Sequence, residues 1–147
     1  MSLEDLLKDR KIEKVAAGET SAKASLRLAK RDMEAARRNF QAKDYAWSLA
    51  IAYNVMLQSG KALMLTNGYR ATGQYGHVAV IEFTHDVFGK EITERMIDIF
   101  NSLRKKRHRV VYDEIGTVSE EEARRAIVWA EEFLRKTGEI LSRQSGF

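Results

Sequence analysis

Residues 44–68 read DYAWSLAIAYNVMLQSGKALMLTNG. Asp44 is a good helix N-cap, and Asn67-Gly68 supplies a stop, so the spacing predicts one helix to about Thr66. Its apolar residues go nearly all the way round, which marks a helix covered by others on every side. Asn54, Gln58 and Lys61 interrupt the run, so it reads as a buried helix and not as a membrane span. A helix of this kind needs partners, and the rest of the chain must supply them.

Working outward, a helix over about residues 2–16 carries Leu3, Leu6, Leu7, Ile12 and Val15, with Gly18 as its end. A second, capped by Thr20 or Ser21, runs to about Gln41 with Leu26, Ala29, Met33, Ala36 and Phe40 at three- and four-residue steps. After the central helix, GYRATGQYG (68–76) reads as a glycine-rich loop. A short helix over about 77–88 comes next, closed by Gly89, and a fifth spans about 91–112. Ser119-Glu120-Glu121-Glu122 is a capping box, with acids on the positive end of the dipole of a last helix over about 120–143. No window shows strand-like alternation. The expectation is all-α: an antiparallel up-and-down bundle of four to five core helices plus an N-terminal helix, one domain over 1–147.

Composition narrows the chemistry. The 147 residues are 44% hydrophobic, enough for a real core. A net charge of +4 permits anionic partners without demanding them. The absence of cysteine removes disulfides, thiolate nucleophiles and Cys-based metal sites. His77 and His85 lie outside metal-site spacing, so neither a metal nor another cofactor is expected. Gly68, Gly73 and Gly76 follow a helix and lack the Lys-Ser/Thr ending, which rejects a Walker loop. Ser48 and Ser59 have no adjacent base at fixed spacing, and Trp47 and Tyr53 read as core volume. The start, MSLEDLLKDRK, carries acids and lacks an apolar signal region, so a soluble, cytoplasmic protein with no membrane association is the default.

The stretch with the most chemistry is LRKKRHRVVYD, residues 103–113. At 100° per residue with Phe100 at zero, Met96, Leu103, Val111 and Ile97 fall within about 60° of it and form the buried face. Arg107 at about −20° and Arg104 at about +40° sit inside that face. His108 and Tyr112 lie on its margin, and Lys105, Lys106 and Arg109 point away. A buried guanidinium needs a carboxylate, carbonyls, a bound anion or a wet cleft. The inward arginines therefore belong either to a structural network or to a functional cleft, and the residues leave both open. The outward cations read as solvated surface, or as a salt-sensitive contact for nucleic acid. Tyr69, Arg70 and Tyr75 could stack on a nucleotide or close the bundle end, and Lys61 could mark a polar cleft or snorkel to an edge.

Three stretches together resemble the HEPN domains, small all-helical domains associated with nucleotides and RNA. The central helix through GYR, residues 44–70, is similar to the family's second core helix and the turn after it. GHVAVIEFTHDVFG, 76–89, is similar to its His-led helix. LRKKRHRVVYD followed by VSEEEARRAIVWAEEFL resembles an L-R-x-x-R-N-x-x-x-Y-D signature and a closing helix. The resemblance covers about residues 44–141.

That resemblance implies a dimer with a shared polar cleft, and a small nucleotidyltransferase as protein partner in a toxin–antitoxin-like pair. It implies action on, or binding of, RNA or nucleotides. It admits a metal-independent endoribonuclease in which Arg104 and His108 are catalytic and Arg107, Tyr112 and His77 bind substrate. The family's ribonuclease motif sets four to six residues between Arg and His. Here three intervene between Arg104 and His108, and His108 stands where this branch has Asn, so the motif is degenerate. The alternative is a non-catalytic helical module that binds a partner protein.

Overall fold

The structure is a computed structural model and describes residues 1–73, 76–113 and 118–144, with backbone alone at 112 and 113. Among the described residues six α-helices are present: α1 (Leu3–Lys8), α2 (Glu19–Gln41), α3 (Tyr45–Thr66), α4 (Gly76–Phe88), α5 (Glu94–His108) and α6 (Glu120–Ser142). Two short strands, β1 (Ile12–Lys14) and β2 (Tyr69–Ala71), complete it, and a π-helical turn, Arg109–Asp113, extends α5. The all-α bundle is therefore confirmed.

The centre is α3, as its all-round apolar surface requires. It packs on α2, α6, α4 and α5. Leu49, Ala52, Tyr53, Val55, Met56, Leu63 and Met64 are all essentially inaccessible. The three-residue turn after α2 sends α3 back antiparallel against it, with Lys43 in the left-handed region at φ 65°. Ala29, Met33 and Ala36 form the buried stripe of α2, and Ala123, Ala126, Ala130 and Phe133 that of α6. Small residues on both stripes let the two helices lie close to α3. The side chain of Arg37 on α2 pairs with Glu131 on α6 and joins those helices at the surface. The capping box of α6 is present: Ser119 Oγ accepts from the Glu122 amide at 3.1 Å, and the Glu122 carboxylate accepts from the Ser119 amide at 3.2 Å.

The N-terminal segment differs from expectation. The single helix over 2–16 is a six-residue helix and then a strand. Its apolar residues serve two different partners. Leu6 packs into the core beside α4, whereas Ile12 is buried by β1 pairing antiparallel with β2, Ile12 opposite Ala71 and Lys14 opposite Tyr69. A ladder of three residues is too short to show alternation. Arg10 takes φ 55° to make the break between them. Gly18 does not end the first helix but stands as the N-cap of α2, where neither Thr20 nor Ser21 caps. The loop over 68–76 likewise holds β2.

Gly60 sets the spacing of α3 and α4. A Cβ built on this residue of α3 would lie 2.5 Å from Val80 Cγ1 of α4 and 3.9 Å from Phe100 Cε2 of α5. The glycine lets α3 and α4 approach this closely, while the distance to α5 is an ordinary van der Waals contact. Two turns before Gly60 stands Tyr53, and one turn before Val80 stands His77.

Candidate functional site

Burial on α5 follows the helical wheel. Phe100 is fully buried, Met96 and Ile97 nearly so, and Arg104 and Arg107 are half-buried on the same face. The Arg104 guanidinium donates to Asn101 Oδ1 through Nε and Nη2, at 3.1 and 3.0 Å. That fork fixes its stem one turn along the helix while the charge faces the α3–α4 side. Arg107 lies over the Tyr53 ring, with Cζ 5.9 Å from the centroid. The Tyr53 ring also packs against Phe100 at 5.7 Å, which in turn meets Phe133 edge-on at 5.1 Å.

Tyr53 is the hub of this region, a role sequence reading missed by counting it as core volume. It is fully buried, yet its hydroxyl lies 3.1 Å from Nδ1 of His77 on α4. Burial pushes the phenol above its ordinary value, and the charges of Arg104 and Arg107 pull the other way. His77 is held below the ordinary histidine value, first by burial and then by the positive charges of Arg107, Lys61 and Arg104. Both causes disfavour imidazolium. The phenol therefore stays protonated and the imidazole neutral near pH 7. We assign the O–H as donor to Nδ1, because the two arginine charges repel the proton from their side, and this leaves the ring proton on Nε2.

Three cations, a neutral imidazole and a phenol thus converge from α3, α4 and α5. Such a set can hold an anionic oxygen and offer a proton acceptor or donor beside it. Of the residues singled out from sequence, Arg104, Arg107 and His77 meet here, joined by Lys61. His108 is exposed on the last turn of α5. The Tyr112 side chain lies outside the described residues, as does Tyr75.

Other readings resolve more simply. Ser48 and Ser59 are buried and donate to the carbonyls of Ala36 and Val55, at 2.9 and 2.8 Å, so both are structural. Tyr69 stacks near Phe83 at 5.6 Å and Arg70 pairs with Glu13 across the two-stranded ladder, closing the bundle end. His85 lies 3.2 Å from Glu94 at the surface. Trp47, read as core, is 52% exposed: it sits in the first turn of α3 beside the exposed α2–α3 turn, where no neighbouring helix covers it. Among the described residues no group of three His, Asp or Glu has metal-holding geometry, and no helix is long and apolar enough to cross a membrane.

Comparison with known proteins adds one finding and one absence. No curated protein matches the chain. A family model for the HEPN domain matches residues 22–141, from the start of α2 to the end of α6 and so the whole bundle around α3. The chain belongs to the HEPN domain family.

Proposed function

We propose that this protein binds or acts on RNA or a nucleotide through the cluster of Arg104, Arg107, His77 and Tyr53, and that it can cleave RNA without a metal. The observation that carries the reading is the pairing of two arginine charges with a histidine kept neutral by burial and by those charges. Attack by a ribose 2′-hydroxyl on its phosphate needs a base that is unprotonated at neutral pH and a cation for the charge that develops on phosphorus. His77 meets the first need and Arg104 the second, with Arg107 beside it. Tyr53 orients the ring through Nδ1; to act as base, His77 takes its other neutral tautomer, with Nδ1–H donating to the Tyr53 oxygen, and the unprotonated Nε2 then accepts the 2′-hydroxyl proton to give imidazolium. His108, exposed on the last turn of α5, is the second candidate base, with three residues between it and Arg104 where the family's ribonuclease motif sets four to six.

Membership in the family suggests a second copy of this chain and a small nucleotidyltransferase as partners in a toxin–antitoxin-like pair. A dimer would set two such clusters in one cleft and supply base and acid from different protomers. Co-purification with the neighbouring gene's product and light scattering of the isolated chain test these two partnerships.

The decisive experiment is cleavage of a fluorogenic RNA in excess chelator by the wild type and by Arg104→Ala, His77→Ala and His108→Ala, each checked for folding by melting temperature. Loss of about a hundredfold or more in Arg104→Ala and in one histidine variant supports the reading and selects the base. Cleavage unchanged in all three, or abolished by chelator in the wild type, overturns it.

One observation favours a non-catalytic module instead. Arg104 is held by Asn101 and Arg107 by the Tyr53 ring, so both arginines have internal roles. On that reading Arg107→Ala lowers the melting temperature strongly, while no RNA or nucleotide binding is lost because none exists.

A further inference from the structure

The opposite side of α5 carries a second feature. Ile99, Ser102, Lys106 and Arg109 lie between about −100° and 180° on the wheel that puts Arg104 at about +40°, so they face away from the arginine–histidine cluster. There α5 and α6 leave a groove of about 630 Å³. Its floor is apolar: Leu49 of α3, Ile99 and Leu103 of α5, Ala126 and Trp129 of α6. Its rim is basic, formed by Arg95, Lys106, Arg109 and Arg125, with Glu122 the one acid.

The rim charges are not equally engaged. Lys106 pairs with Glu122 at 3.2 Å and Arg125 with Glu121 at 3.2 Å. Arg95 lies over the Trp129 ring, 5.4 Å from its centroid, and Arg109 is exposed. Among the described residues no carboxylate is within ion-pair distance of either of these two. A groove with an apolar floor and two rim cations lacking carboxylates is complementary to a partner with apolar side chains and flanking acids.

We propose that this groove docks an acidic amphipathic segment of a partner protein. The spacing argues for a peptide over a compact anion. Arg95 and Arg109 are fourteen positions apart, about 20 Å along the axis at 1.5 Å per residue. One phosphate group cannot meet both, whereas a peptide helix of three to four turns laid along the groove can. The floor argues for a peptide over a nucleic acid strand. Four of its five residues are aliphatic, and the Arg95 guanidinium covers a face of the fifth, Trp129, where a base would stack. Leucine-like anchors at i, i+3, i+4 and i+7 would fill the floor while Glu or Asp at the flanks met Arg95 and Arg109.

The test uses the whole chain and a fluorescein-labelled peptide with Leu at those four positions and Glu at the flanks, read by anisotropy. The comparison probes are an all-Glu peptide of equal charge and a single-stranded RNA oligonucleotide of equal charge. The proposal expects saturable binding of the Leu/Glu peptide and binding of the all-Glu peptide about tenfold weaker or worse, since the apolar floor is unused. Arg95→Glu combined with Arg109→Glu should weaken the Leu/Glu peptide about tenfold or more, and more at low salt. Ser102→Trp, which fills the groove from an exposed position and leaves every charge in place, should weaken it as well. Arg104→Ala should leave peptide binding unchanged, which separates this site from the RNA-directed cluster. Three results would overturn the proposal: no saturable binding, equal binding of the all-Glu peptide, or tighter binding of the RNA with the same sensitivity to the groove variants. The last would reassign the groove to nucleic acid.

Discussion

The hydroxyl of Tyr53 on α3 and Nδ1 of His77 on α4 lie 3.1 Å apart, beneath the charges of Arg104 and Arg107. The bond joins a phenol that burial keeps protonated to an imidazole that burial and nearby cations keep neutral. It therefore fixes a histidine tautomer within a cationic surround, and its disruption should be readable in the histidine itself.

Tyr53→Phe removes the donor to Nδ1 and leaves the ring packing with Phe100. Because the lost bond favoured neutral imidazole, the His77 titration should move up toward the ordinary histidine value, as followed by NMR of the imidazole carbon-bound protons. The stability cost should be about 1 kcal/mol, measured by denaturant unfolding. A downward shift of the titration would contradict the assigned donor direction.

Arg107→Ala should also raise the His77 titration, since one of the charges that disfavours imidazolium is gone. Arg107→Lys keeps the charge and loses the planar stacking on Tyr53, so it should leave the titration near that of the wild type. A charge effect predicts this split; a packing effect predicts that the two variants behave alike.

Stability should fall on mild acidification. His77 in the folded chain titrates below its unfolded value of 6.5, so the unfolded state binds the proton more readily. Its contribution is fully present above about pH 6.5 and is lost as pH falls toward the folded value. The melting temperature should drop between pH 7.5 and 5.5, and His77→Gln should flatten that slope.

Gly60→Ala places a methyl group 2.5 Å from Val80 Cγ1, where α3 and α4 cross. Overpacking of this kind should cost about 1–3 kcal/mol. Val80→Ala in the same chain frees the space and should recover part of the loss, a coupling that a double-mutant cycle in denaturant measures.

Ser119→Ala removes the side chain that accepts from the Glu122 amide and should destabilise α6 by about 1 kcal/mol. Glu122 is held below the ordinary carboxylate value, chiefly by its bond from the Ser119 amide and also by Lys106. Its share of the cap is present above pH 4.5 and should be lost as pH falls through its lowered value. Calorimetry across that range should show an acid-dependent component that Glu122→Gln removes.

The sequence by itself determined the bundle. The all-round apolar surface of 44–66 can be satisfied only by helices on several sides, and the periodic stripes over 20–41 and 120–143 supply them. Stop and cap signals act within one turn, so Thr66, Phe88 and the start at Glu120 were legible locally, whereas Asp44 precedes α3 without a side-chain cap bond and α2 starts after Gly18 with none. The helical wheel likewise turned Arg104 and Arg107 inward, since their angles follow from position alone. What the sequence could not give was anything that depends on residues distant in the chain. Ile12 is a strand residue only because Ala71 lies opposite it, and three-residue strands carry no period of their own. Trp47 and Tyr53 are alike as large side chains on one helix, yet one is half exposed and the other is buried against His77. Tertiary packing decided that difference: the close approach at Gly60 brings α4 near α3, and only then do a phenol, an imidazole and two arginines from three helices share one electrostatic environment.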